Sequence, residues 1–374
     1  MINIPYTFSG TVEYETYEQV KNRAKKFDSY EVFGLDQSGM YEVFFISLGK
    51  PTNPCMLITS AMHPPEWQGI SYTMAMMEQL RDNTYPDKSL RDDILNNYYL
   101  VYVPIMQPYG LDRVLLNKYG IYHSGGEGRR NVNGVDLNSD FYTFNEQESR
   151  NIRLLGNRVK PFAYLDVHMY QPDYPSASGR NAIIAGGQQS WGDYNKVTRP
   201  ITNEWKKSME NYIGESITQW TNILSETSGL ARAHFAKQKN PYTPYTLSYI
   251  SEIVRPAYRN RNGTQTFIRK LSDSNIYKYG QVHNYLFLKT SIKYFEEYGD
   301  SDGNNGSDND NEESSSGLVY KIETPQKTVF VKRDSQGVAT SLEEIYKMGR
   351  RPNIRTTITR NSKGEVYKIN REEI

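Results

Sequence analysis

Residues 56–66 read Met56-Leu57-Ile58-Thr59-Ser60-Ala61-Met62-His63-Pro64-Pro65-Glu66. The apolar run predicts a buried strand. The proline pair then opens a helix that runs to about Leu80, because proline is well tolerated in a first helical turn. At such a strand-to-helix turn, a spacing of three lets the His63 imidazole and the Glu66 carboxylate converge on one ion. Alone, His-x-x-Glu is a weak signal. The chain has five histidines, however, and besides His63 one other ends a strand-like run, Tyr164-Leu165-Asp166-Val167-His168. Two His and one Glu are the ligand set of a catalytic zinc whose fourth position stays open for water.

Working outward, strands alternate with helices. Residues 15–27 carry Tyr17, Val20, Ala24 and Phe27 at helical spacing, and strand-like runs cover 41–47, 98–105, 162–167, 182–185 and 247–254. Further helices are expected over about 202–224 and 284–298. This order predicts an α/β fold, a mixed, mostly parallel sheet flanked by helices. In such sheets ligands gather at the carboxyl ends of the strands, where His63 and His168 both fall.

Composition bounds the function. Of 374 residues 37% are apolar, enough for one large core with or without a small second domain. Mean hydropathy is −0.72 and no apolar run is long enough for a membrane span. The first residues, Met1 to Tyr6, show no secretory signal, which leaves the localisation open between a cytoplasmic and a virion (phage-tail) setting. A single cysteine, Cys55, excludes a disulfide framework and a four-cysteine zinc site within the chain. A net charge of +1 lends no support to a nucleic-acid partner.

From Gly299 to Gly317 the chain reads GDSDGNNGSDNDNEESSSG, with six acidic residues, no basic ones and no large apolar side chain. Such a stretch cannot offset its ordering entropy and is expected to be a flexible linker. Residues 318–374 follow with 12 basic and 7 acidic residues and β-type runs at 318–322, 328–332, 356–359 and 365–369. The layout predicts a catalytic domain over 1–298, a linker over 299–317 and a small basic β-rich module over 318–374 that docks to an assembly.

Between the two histidine motifs lies Arg129-Arg130-Asn131-Val132-Asn133-Gly134-Val135-Asp136-Leu137-Asn138-Ser139-Asp140-Phe141. With this segment the chain resembles the M14 family of zinc carboxypeptidases, over about residues 12–298. That family carries His-x-x-Glu after a strand, then an Arg and a Gly-Val-Asp-x-Asn-Arg-type motif. A third-ligand His at a strand end and a Glu in a late strand follow. All occur here in that order, and Gln107-Pro108-Tyr109-Gly110 resembles a divergent Asn-Pro-Asp-Gly turn.

The resemblance implies one zinc per chain held by His63, Glu66 and His168, with Asp136 orienting His63. Glu252, in Tyr249-Ile250-Ser251-Glu252-Ile253-Val254, matches the general base that acts with a zinc-activated water on a peptide bond. Arg129 matches the oxyanion-stabilising arginine, with Arg130 its neighbour, and Asn138 matches a residue that holds the substrate's end group. Ser139 stands where the family has the arginine that clamps a terminal carboxylate. A hydroxyl does not replace a bidentate guanidinium. The substrate-capping tyrosine has three candidates, Tyr242, Tyr245 and Tyr249.

The sequence therefore predicts a zinc metallopeptidase acting on a peptide, with a bacterial wall peptide and a phage tail as substrate and setting. One alternative is an ordinary carboxypeptidase in which Arg255 or Arg180 binds the carboxylate. Another is a structural virion protein with a vestigial zinc site.

Overall fold

Thr16 starts the first helix by a reciprocal cap. Its hydroxyl accepts the Gln19 N–H at 3.2 Å, while the Gln19 side chain accepts the Thr16 N–H at 2.8 Å. The computed structural model describes residues 1–114, 128–172, 182–186, 197–220, 228–238, 240–243, 246–261 and 264–299, together with 318–323, 327–333, 339–346, 354–360 and 366–373. The chain forms two compact units, Met1–Asn304 and Asn305–Ile374.

In the first unit α1 (Tyr17–Ala24) precedes an antiparallel pair, β1 (Glu31–Leu35) and β2 (Glu42–Gly49). Every residue of β3 (Cys55–Ser60) is buried, as a central strand covered on both faces requires. A 3₁₀ turn over Pro64–Glu66 leads into α2 (Gln68–Arg81). Asp87 caps α3 (Lys88–Asn97) by accepting the Leu90 N–H at 2.9 Å. Then come β4 (Tyr99–Val103), α4 (Pro108–Val114), a 3₁₀ turn over Leu137–Ser139, α5 (Gln147–Val159), β5 (Ala163–Tyr170) and β6 (Ala182–Gly186). The unit continues with α6 (Arg199–Ile213), β7 (Thr218–Trp220), α7 (Ala231–Lys237), β8 (Leu247–Val254), the hairpin β9 (Ala257–Arg261) and β10 (Thr264–Ile268), and α8 (Asp273–Tyr298).

Eight strands form one sheet in the order β1-β2-β4-β3-β5-β8-β6-β7. The central β4-β3-β5-β8 run is parallel, and the antiparallel pairings are β1 with β2, β2 with β4, and β6 with β8. The expected mixed, mostly parallel sheet is observed. Alternate residues feed two cores. Met56, Ile58, Leu165 and Tyr249 join the core beneath α2 and α8, whereas Leu57, Val101 and Tyr164 join a second core with Ile152 of α5 and Phe235 of α7.

Two helices differ from their expected spans. The one expected over 202–224 stops at Ile213 because Gly214 adopts φ 73°, and Thr218–Trp220 then pairs with β6 as a strand. The last helix begins at Asp273, where Ser272 caps it by accepting the Asn275 N–H at 3.2 Å. Among the described residues, no helix is long and apolar enough to cross a membrane.

The second unit is an antiparallel meander of five strands, β11 (Leu318–Glu323), β12 (Lys327–Arg333), β13 (Ala339–Tyr346), β14 (Ile354–Arg360) and β15 (Val366–Glu373). The sequence indicates four of them. It misses β13, whose Leu342-Glu343-Glu344-Ile345 favours a helix by propensity.

Candidate metal centre and active site

Parallel pairing brings the ends of β3, β5 and β8 into line. Ser60 is the register partner of Val167, and His168 is the partner of Glu252. Beyond Ser60 the chain turns sharply, with Ala61 at φ 52°, a conformation that costs a non-glycine residue about 1 kcal/mol or more. Backbone bonds from Met106 to Ser60 (3.0 Å) and from Gln107 to Ala61 (3.2 Å) hold the turn. It aims His63 back at Glu66, which the 3₁₀ turn presents on the same side.

The three side chains meet in a buried cluster. His63 Nδ1 lies 3.0 Å from Glu66 Oε1, and His168 Nδ1 lies 2.9 Å from Glu66 Oε2. One donor atom from each residue falls within 4.8 Å of the others. The far nitrogens also meet carboxylates. His63 Nε2 is 2.9 Å from Asp136 Oδ1, and His168 Nε2 is 3.0 Å from Asp166 Oδ2. Both rings thus turn Nδ1 toward the shared centre while a carboxylate faces Nε2, the arrangement that orients metal-bound histidines. Three carboxylates around two imidazoles favour a dication, and the His₂Glu set fits one zinc ion.

Electrostatics agree with that geometry. Burial pushes the Glu66 carboxyl up, but the facing imidazoles more than offset this and hold it well below the ordinary range. Burial disfavours a charged His168, yet Asp166 and Glu66 raise it well above its ordinary value. Burial opposes ionisation of Asp136 too, and its bond to His63 and the charge of Arg129 bring it down nonetheless. Glu252 behaves in the opposite way. Desolvation dominates, and its carboxyl is pushed up to about 7.

Arg129 and Arg130 part company. Arg129 places Nη2 3.0 Å from Asp136 Oδ2 and Nη1 3.4 Å from Glu66 Oε1, and its carbonyl accepts from Gln107 Nε2 at 2.9 Å. Arg130 is exposed and donates to the Gly134 carbonyl at 2.9 Å. The Asn138 N–H bonds Asp136 Oδ1 at 3.1 Å. Ser139 is exposed, and its hydroxyl donates to the Asp136 carbonyl at 2.6 Å. Arg255 is only 4% exposed. Burial, with a smaller contribution from the Arg129 charge, lowers its pKa to about 10 against the opposing pull of Glu66 and Glu252. Tyr249 lies on the other face of the sheet, its ring 5.4 Å from Trp205, and the Tyr242 ring lies 6.4 Å from Phe295. Arg180 and Tyr245 fall outside the described residues.

The sequence reading overlooked Asp166. It stands two residues before His168 in an apolar strand, and period-two geometry puts both on one face. Its Oδ1 accepts from Thr59 Oγ1 at 3.2 Å, so the neighbouring strand fixes the carboxylate.

The zinc carboxypeptidase family profile, peptidase M14, matches residues 16–298. The chain belongs to the zinc carboxypeptidases. Solved structures of similar fold include a metallo-carboxypeptidase from Burkholderia cenocepacia, at 13% identity and TM-score 0.54, covering 76% of this chain and 70% of the other. A carboxypeptidase A from Helicoverpa armigera has 17% identity and TM-score 0.53, with 76% and 74% covered. A carboxypeptidase A-like protein from Shewanella denitrificans has 18% identity and TM-score 0.53, with 76% and 70% covered. No curated protein matches the sequence. This zinc carboxypeptidase is thus a divergent member whose His-Glu-His cluster, among the described residues, fits one zinc ion, and its activity is zinc-dependent peptide hydrolysis.

Proposed function

We propose that Glu252 is the general base of this peptidase and that Arg129 stabilises the developing oxyanion. The observation that carries the reading is the register of β5 with β8, which sets Glu252 beside the ligand His168 on one sheet face. His63, Glu66 and His168 would hold a zinc ion, which would supply Lewis-acid polarisation at the site. Glu252, whose proton affinity lies near neutrality, accepts the water proton and hands it to the leaving amine. Asp136, hydrogen-bonded to Nε2, keeps His63 in the tautomer that leaves Nδ1 free to ligate, and the Asp166 carboxylate lies 3.0 Å from Nε2 of His168. Arg129 offers a guanidinium edge at the rim of the cluster, and Gln107 fixes its backbone. Asn138, on the same turn as Asp136, faces the substrate's end group. Glu252→Gln should retain zinc and lose nearly all hydrolysis of a peptide panel. Full turnover in that variant would remove Glu252 from the mechanism.

A second reading, an ordinary carboxypeptidase, gains support from Arg255, a cation buried within the field of Glu66 and Glu252. A carboxylate reaching the site would meet it. The finer substrate reading is a bacterial wall peptide in a phage-tail setting. Its support is the serine at position 139 and the layout of catalytic unit, acidic stretch over 299–317 and basic unit over 318–374. Release of peptides from purified wall fragments tests it, and a protein that cleaves free peptides but no wall fragment would oppose it.

A further inference from the structure

Residues 128–136, which carry Arg129 and Asp136, contain neither helix nor strand. One side chain gives the segment its shape. Asn131 is only 3% exposed, and its Oδ1 accepts the N–H groups of Asn133 at 3.1 Å and Val135 at 3.0 Å. The main chain closes the same turn: the Asn131 N–H donates to the Val135 carbonyl at 3.0 Å, and the Gly134 N–H donates to the Asn131 carbonyl at 2.9 Å. An asparagine amide serves here as a surrogate backbone partner, the usual reason for its place in tight turns. The two functional residues on either side of the turn then meet. Arg129 Nη2 and Nε lie 3.0 Å and 3.2 Å from Asp136 Oδ2, while Asp136 Oδ1 lies 2.9 Å from His63 Nε2.

The other end of the amide is tied to the body of the protein. Asn131 Nδ2 donates to Glu146 Oε2 at 2.6 Å, and Asn133 Nδ2 reaches the same oxygen at 2.9 Å. Glu148 Oε2 lies 3.4 Å from Asn131 Nδ2. Backbone N–H groups on one side and a carboxylate on the other fix which way the amide points. Glu146 immediately precedes α5, is 6% exposed, and donates its own N–H to Asp140 Oδ2 at 2.9 Å. Helix α5 is in turn seated in the second core by Ile152 and Leu155. A continuous path of bonds runs from α5 through Glu146 and Asn131 to Arg129 and Asp136, and a hydrogen bond to a charged, buried acceptor is among the stronger ones available for it.

We propose that Asn131 is a positioning residue for this site: the turn it closes sets Arg129 and Asp136 beside the zinc cluster, and Glu146 fixes its amide. This deepens the peptidase reading and rests on its assignment of Arg129.

Zinc-loaded full-length protein carrying Asn131→Ala, Arg129→Ala or both would be assayed on a peptide panel. Asn131→Ala should lower kcat by about 10–100-fold with KM little changed, the reach of a misplaced transition-state contact. In the Arg129→Ala background the same change should cost less than about threefold, because the residue it positions is already gone. A kcat loss that simply multiplies with that of Arg129→Ala would overturn the proposal. The route through Asp136 is read without turnover, by competition with a chromogenic chelator. Asn131→Ala should weaken zinc binding about tenfold, and an affinity equal to that of wild type would also overturn the proposal. Should Asn131→Ala fail to fold, Glu146 decides by the same measurements. Glu146→Ala should lower both turnover and zinc affinity, and Glu146→Gln, whose amide oxygen still accepts from Asn131, should recover most of each loss; equal values in the two variants overturn it. Wild type that cleaves no peptide, or Arg129→Ala with full turnover, refutes the reading of the site instead, and the zinc competition then decides on Asn131 alone.

Discussion

Two side chains carry opposite electrostatic loads. Glu66 is held ionised by the imidazoles it faces, whereas Glu252 is held protonated by desolvation. In the metal-free protein Glu252 keeps its proton up to about 7, against an ordinary value of 4.5. The folded chain therefore binds more protons than the unfolded chain across that interval. The stability from the neutral carboxyl is complete below the ordinary value and is lost as pH rises through the folded one. Glu252→Gln removes the loss. Urea unfolding of metal-free protein should show Glu252→Gln gaining on wild type between about pH 5 and pH 8, by up to about 3 kcal/mol. Parallel stability curves would contradict the desolvation of this carboxyl. Bound zinc, a nearby dication, should draw the Glu252 pKa below 7, so the acid limb of kcat/KM should lie lower than that. At the same scale, Asp166→Asn removes the carboxylate behind His168 and should weaken zinc binding about 10–100-fold. Competition with a chromogenic chelator measures this, and an unchanged affinity would mean that His168 needs no support from Asp166.

At the scale of elements, what could be read from the sequence depended on how each segment satisfies its own backbone. The strands β3, β5 and β8 stand out because burial on both faces demands near-continuous apolar runs. The ligands His63 and His168 follow those runs directly, so the zinc cluster was legible with them. Helix α7 was not, since seven residues including Ala231, Ala233 and Ala236 offer little periodic signal. Its place comes from tertiary contact, above all Phe235 against Tyr164. The span expected over 202–224 erred because apolar spacing continues past Gly214, whose φ of 73° ends the helix. Phe235→Ala should cost about 3–5 kcal/mol as a large-to-small core change. Thermal unfolding reads the loss, and a variant as stable as wild type would show that α7 is not anchored through this ring.

Across the whole molecule, the zinc cluster draws every residue from the first unit, and the family match also ends within it at residue 298. A chain truncated after Gly299 should fold, bind zinc and cleave the same peptides as the full-length protein, with melting temperature compared in parallel. An insoluble or zinc-free truncation would make residues 318–374 part of the catalytic fold. The same view makes zinc a stabiliser, since a ligand that binds only the folded state adds about 4 kcal/mol at a thousandfold excess over its Kd. The most direct test of the account is metal analysis of purified wild type beside Glu66→Ala, read with peptide hydrolysis before and after chelation. The account predicts one zinc per wild-type chain, little in Glu66→Ala, and activity that disappears on chelation and returns with added zinc. Hydrolysis that persists in wild type stripped of metal would contradict it.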